Sequence, residues 1–106
     1  MKISAVTEDQ VIVIDGSAAF MADIGGYHMT NGEWAVHFDT TTGYGEIEYI
    51  DNRPNQFIDE AFFNQHFAWL QAEHQRYLDH IAQLEAENES ENTGDDGSGS
   101  PATPTN

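Results

Sequence analysis

Three Lys+Arg stand against 19 Asp+Glu in a chain of 106 residues, for a formal charge of −16. There is room for one domain, and no cationic surface with which to release counterions from a nucleic acid or an anionic lipid, so direct binding to either is excluded. No window approaches the roughly 20 apolar residues of a bilayer span, and the absence of cysteine removes disulfides, thiolate metal sites and a cysteine nucleophile.

From Met1 the chain reaches Glu8 before any apolar run long enough for a secretory leader, so the expected place of work is the cytoplasm in which it is made. Val11-Ile12-Val13-Ile14 is a β-branched run ending at Asp15-Gly16, a strong hairpin signal, with Ser17 to Met21 as the returning strand. Gly25-Gly26 and Asn31-Gly32 break the chain again. Trp34, Val36 and Phe38 then alternate with Ala35 and His37, Asp39 to Gly43 turns the chain, and Ile47 and Tyr49 alternate with Glu46 and Glu48. The period of two predicts one buried face made of Trp34, Val36, Phe38, Ile47 and Tyr49, with the glutamates in water. Pro54 closes this head, because it cannot donate to a ladder and disfavours helix in the residue before it.

Beyond Pro54 the pattern is helical. Asn55 or Asp59 can cap, Asp59 and Glu60 suit the positive end of the helix dipole, and no Gly or Pro interrupts before Gly94. Phe63, Phe67, Leu70, His74, Tyr77, Ile81 and Leu84 recur at steps of four and three, a heptad seam containing one histidine, with Leu78 beside it. A helix from Asp59 to Glu89 spans about 46 Å at 1.5 Å per residue, whereas four strands make a platform only about 19 Å wide. Phe57, Ile58, Phe62, Phe63 and Trp69 are expected on that platform. Tyr77, Leu78, Ile81 and Leu84 are expected beyond its reach, buried on a second copy or another protein.

Acidic residues are spread along the chain, with eleven acids and two bases (−9) in residues 1 to 68 and eight acids and one base (−7) in residues 69 to 106. From Asn92 the Gly/Ser/Pro/acidic text has nothing apolar to offset an ordering cost of about 1 to 2 kcal/mol per residue, and it is expected to be disordered. The fold class is thus α+β: a small antiparallel β-meander of about four strands (1–56), one long C-terminal amphipathic α-helix (57–91) and a disordered acidic tail (92–106).

Chemistry is sparse. Of five histidines, His66, His74 and His80 are spaced by eight and six, which turns them to different helix faces, and no pair shows the spacing of a zinc helix. Asp39 to Glu46 fails the calcium-loop pattern, with no glycine at its sixth position, and reads as a hairpin turn. No Ser-His-Asp spacing, phosphate loop or dinucleotide fingerprint is present. No catalytic residue, cofactor or metal is expected.

The stretch Trp34-Ala35-Val36-His37-Phe38-Asp39, followed by Gly43-Tyr44-Gly45-Glu46-Ile47-Glu48-Tyr49-Ile50-Asp51-Asn52-Arg53-Pro54-Asn55 and a helix with an early Trp69, resembles a group of small bacteriophage and prophage proteins. The resemblance covers Ser17 to Trp69, and those proteins are associated with tail or tail-fibre modules. It implies a phage setting, in the host cytoplasm or the virion, and a protein partner such as a tail or tail-fibre component. On this reading Phe63, Phe67, Leu70, His74, Tyr77, Leu78, Ile81 and Leu84 bind the partner or a sister subunit, in the manner of an assembly chaperone. A reading of a different class follows from the charge: an acidic DNA mimic, with Glu46, Glu48, Asp51, Asp59 and Glu60 in a spaced double row, that occupies the basic groove of a host nuclease or defence complex.

Overall fold

Both central residues of the Asp15-Gly16 turn have positive φ, 49° and 82°, the backbone twist that joins antiparallel strands most tightly. The turn pairs β2 (Val11–Ile14) with β3 (Ser17–Phe20). In this computed structural model, which describes residues 1–94, the hairpin is one end of a six-stranded antiparallel sheet in the order β3-β2-β1-β4-β5-β6. The remaining strands are β1 (Lys2–Val6), β4 (Glu33–Asp39), β5 (Tyr44–Tyr49) and β6 (Gln56–Asp59). After β3 the chain makes a 3-10 turn, Met21–Ile24, and crosses to the far side of β1 before entering β4.

The expected four strands were two too few. β1 is short, with alternation blurred by Ser4 and Ala5, yet it lies centrally and pairs with both β2 and β4. β6 begins at Gln56, two residues after Pro54, so the proline ends a loop and leaves the sheet to continue to Asp59, past the boundary expected at residue 56. Phe57 and Ile58, expected on a helix, are strand residues instead: Ile58 points into the core, and Phe57 points away and is 84% exposed.

Two helices cover one face of the sheet. α1 (Glu60–His66) starts where the Asp59 side chain accepts the Phe62 N–H at 2.9 Å, a cap that satisfies one of the orphan donors of the first turn. It stops after seven residues, and α2 runs Trp69–Gly94. No glycine or proline makes this break. Phe67 leaves helical geometry at φ −132° while its ring stays buried, and the Trp69 indole N–H donates to the His66 carbonyl at 2.8 Å, occupying an acceptor that the end of α1 leaves open. The single uninterrupted helix is therefore corrected to a pair. α2 also takes in the first three residues of the expected tail; residues 95–106 lie outside those described.

The core lies between sheet and helices. Ile3, Ala5, Ile12, Val36, Phe38, Ile47 and Ile58 face Phe63, Phe67, Leu70 and Tyr77, and the Phe38 and Phe63 rings stack with centroids 4.3 Å apart. Tyr27 seals one side: its hydroxyl donates to the Val11 carbonyl at 3.0 Å, and its own N–H is held by the Gln10 side chain. Burial first, and the nearby Asp9 carboxylate second, push the Tyr27 phenol up to about 12.

Candidate functional site

Five of the eight seam residues belong to the protein's own core. Phe63, Phe67, Leu70, His74 and Tyr77 are all buried in the monomer; Phe63 lies on the platform as expected for the first half of the helix, whereas Tyr77, expected beyond the sheet and on a partner, is corrected to the protein's own core. The physical reason is width: five gaps between six strands span about 24 Å at 4.8 Å each, and the break at Phe67 lets α2 reach β2, β3 and the 3-10 turn. His74 fixes this arrangement. Its Nε2–H donates to the Ser17 carbonyl at 2.7 Å, a tautomer dictated by an acceptor that can only accept. Arg76 adds a bond from Nη1 to the Ile24 carbonyl at 3.0 Å, and the Tyr77 ring meets Phe20 edge-on at 6.2 Å.

The stripe then runs out of cover. Tyr77 is 9% exposed, Ile81 packs only partly against the core, and Leu78 and Leu84 are 36% and 44% exposed. From Ala82 to Asn88 every residue is exposed. The helix from Ala82 to Gly94 extends about 20 Å further at 1.5 Å per residue. Leu78, Ile81 and Leu84 are thus the part of the expected partner surface that is still open.

Among the described residues the sheet's other face carries no helix. One row across it reads Val13, Ser4, His37, Glu46, Phe57 in register. Ser4 Oγ and His37 Nδ1 are 2.9 Å apart, and His37 Nε2 lies 3.6 Å from a Glu48 oxygen. Hydroxyl, imidazole and carboxylate in series are the ingredients of an acyl-transfer triad, brought together from positions whose sequence spacing gave no sign of it. Ser4, however, sits mid-strand with pairing on both sides, so its backbone N–H is committed to the ladder and cannot help cradle a tetrahedral oxyanion.

The carboxylates that would make a double row are mostly engaged. Asp51 holds the Arg53 Nε at 2.9 and 3.0 Å, which keeps the Asp51 carboxyl below its ordinary range. Asp59 caps α1, and Glu48 faces His37. Among the described residues no three histidine or carboxylate groups gather closely enough to hold a metal ion, and no helix is long and apolar enough to cross a membrane.

On the helix-bearing face, a cavity of about 480 Å³ opens between the loop 28–31, β4, β5, β6 and α1. Its walls include Tyr49, Phe62, Phe67 and Trp69, and Glu33 also lines it. Glu33 is there because of a β-bulge: the β4–β5 register shifts between Glu33 and Ala35. Strict alternation would bury Trp34. The bulge instead turns Trp34 out, 38% exposed with its indole N–H on Glu8, and buries Glu33 to 8%.

No protein-family model matches this chain, and no curated protein or solved structure is similar enough to it to count as a match.

Proposed function

We propose that this is a non-enzymatic protein-binding module of phage type, which docks the exposed end of α2 on a tail or tail-fibre component or on a sister copy during assembly. The observation that carries the reading is the way one apolar stripe leaves its own core: Tyr77 is covered, Ile81 half covered, and Leu84 open on a helix that keeps going. Apolar side chains held at helical spacing on a rigid arm make an anchor set for a groove or a second helix. The resemblance of Trp34 to Asn55 to phage tail-module proteins supplies the setting. The charge of −16 keeps such an arm soluble until it is covered.

The acidic-mimic reading is weaker on this geometry, because Asp51, Asp59 and Glu48 have partners within the chain. The test is the double substitution Leu78→Glu with Leu84→Glu, whose sites are exposed and whose folding by circular dichroism should match the parent. Sedimentation equilibrium of the protein alone, and co-purification with the tail-fibre proteins of its phage, are both to be measured. Association lost in the double variant is the expected result. Association that survives it, or none with either partner, would overturn the proposal.

A further inference from the structure

Glu33 is 8% exposed, and among the described residues no cation pairs with its carboxylate at contact distance; the Arg53 guanidinium feels its charge only from further away. Glu33 Oε1 accepts the Asn31 backbone N–H at 2.8 Å, and among the described residues no group donates to Oε2. The nearest guanidinium is directed elsewhere: Arg53 binds Asp51 through Nε, donates from Nη2 to the Asn31 carbonyl at 2.8 Å, and stacks 4.0 Å over the Tyr49 ring. Arg53 makes no ion pair with Glu33 within 4.0 Å. A carboxylate held largely out of bulk water with one oxygen lacking a protein donor is open to a ligand that donates to it. Here a β-bulge places it in that position, where plain alternation would have put the apolar Trp34.

The cavity beside it has an aromatic wall of Phe62, Phe67 and Trp69 and a polar one that includes His28, His66 and Gln56, with Glu33 as the one carboxylate in its lining. We propose that this cavity binds a primary ammonium group carried on a short apolar arm, with Glu33 Oε2 as its acceptor. Only one carboxylate oxygen is open. A guanidinium gains most from gripping both oxygens at once, whereas an ammonium is a compact point donor that needs one. The arm's methylenes lie along the aromatic walls, and the π-faces add attraction for the cation. A metal ion is disfavoured by the ligand set, since no cluster of three histidine or carboxylate groups forms among the described residues. The ligand chemistry has two sources, a lysine side chain of another protein or a free alkylamine. This site is separate from the α2 stripe and does not depend on it.

Trp69 lines the cavity and reports on it. With Trp34→Phe as background, Trp69 is the only remaining indole, because the chain has two tryptophans. The full chain is titrated with n-butylammonium, with lysine capped at both backbone ends, and with butyrate, following Trp69 fluorescence. A saturable change with both amines and none with butyrate is expected, and the tighter of the two amines identifies the source. Glu33→Gln keeps the acceptor for the Asn31 N–H but removes the charge, and should weaken amine binding at least tenfold. Should that variant fold poorly, Thr30→Lys, at an exposed position on the cavity rim, supplies a tethered ammonium and should block the free amines. Absence of saturation with either amine, equal binding of butyrate, or amine binding unchanged in a folded Glu33→Gln variant or in Thr30→Lys would each overturn the assignment.

Discussion

At Gly45, where β5 crosses β4, there is no space for a methyl group. An added Cβ would overlap the His37 carbonyl oxygen and lie 2.9 Å from Phe38 Cα and Cδ1. These are backbone atoms of the paired strand and a ring stacked on Phe63, so none can retreat cheaply. Gly45→Ala is therefore expected to destabilise the fold by about 1 to 3 kcal/mol, the usual range of overpacking in a core. Chemical denaturation checks this. A change below about 1 kcal/mol would mean that the two strands can separate locally without loss. Glu33 and Trp34 make the complementary point at single-residue scale. Their positions follow from one extra residue on one strand, and period-two alternation cannot register such an insertion. Trp34 was accordingly expected in the core, and the buried acid went unforeseen.

At the scale of elements, α2 has two halves with different duties. Its first part supplies Leu70, His74 and Tyr77 to the core, so cutting the chain after Trp69 removes three buried side chains and the bond to the β3 edge. Loss of cooperative unfolding and of near-ultraviolet dichroism is expected for that truncation; a stable head with intact dichroism would show that β1 to α1 hold together without it. The hairpins β2–β3 and β4–β5 were legible because Asp15-Gly16 and the Asp39 to Gly43 turn carry their own local instructions. β1 and β6 were not. Lys2 to Val6 owes its place to neighbours on both sides, and Gln56 to Asp59 pairs on one side only, so each depends on contacts a local pattern cannot express. The break at Phe67 escaped notice for a different reason. The Trp69 indole closes α1 by a local bond to the carbonyl three residues earlier, and an apolar pattern at steps of three and four does not register such a side-chain cap. Seam spacing identified the correct helix face, yet spacing alone could not say which chain would cover it; Ser4, His37 and Glu48 meet only through strand pairing.

At the scale of the whole molecule, the charge of −16 acts on folding as well as on solubility. Only two ion pairs with a permanently charged base are formed among the described residues, Arg53–Asp51 and Arg76–Glu73, so most carboxylates repel one another. Screening at 0.15 M salt shortens the reach of that repulsion to about 8 Å. The thermal midpoint is expected to rise as sodium chloride goes from 10 to 150 mM, and self-association through α2 is expected to strengthen over the same range, since two like-charged copies must approach. Calorimetry and sedimentation at the two salt concentrations check both. A midpoint that falls with salt would mean that attractive pairs outweigh the repulsion.

The position of β1 in the middle of the sheet also governs the order in which the protein can be completed during synthesis. Residues 2 to 6 are made before either of their partners and can zip to β2 as soon as it follows, but their other flank has no mate until residues 33 to 39 have been made. For that interval the nascent three-stranded piece presents a bare row of amides and carbonyls, a template on which a neighbouring nascent chain could add a strand. The tight, self-sufficient Asp15-Gly16 hairpin and the acids at Glu8, Asp9 and Asp15 give this early intermediate a compact shape and a like charge that hold such neighbours apart.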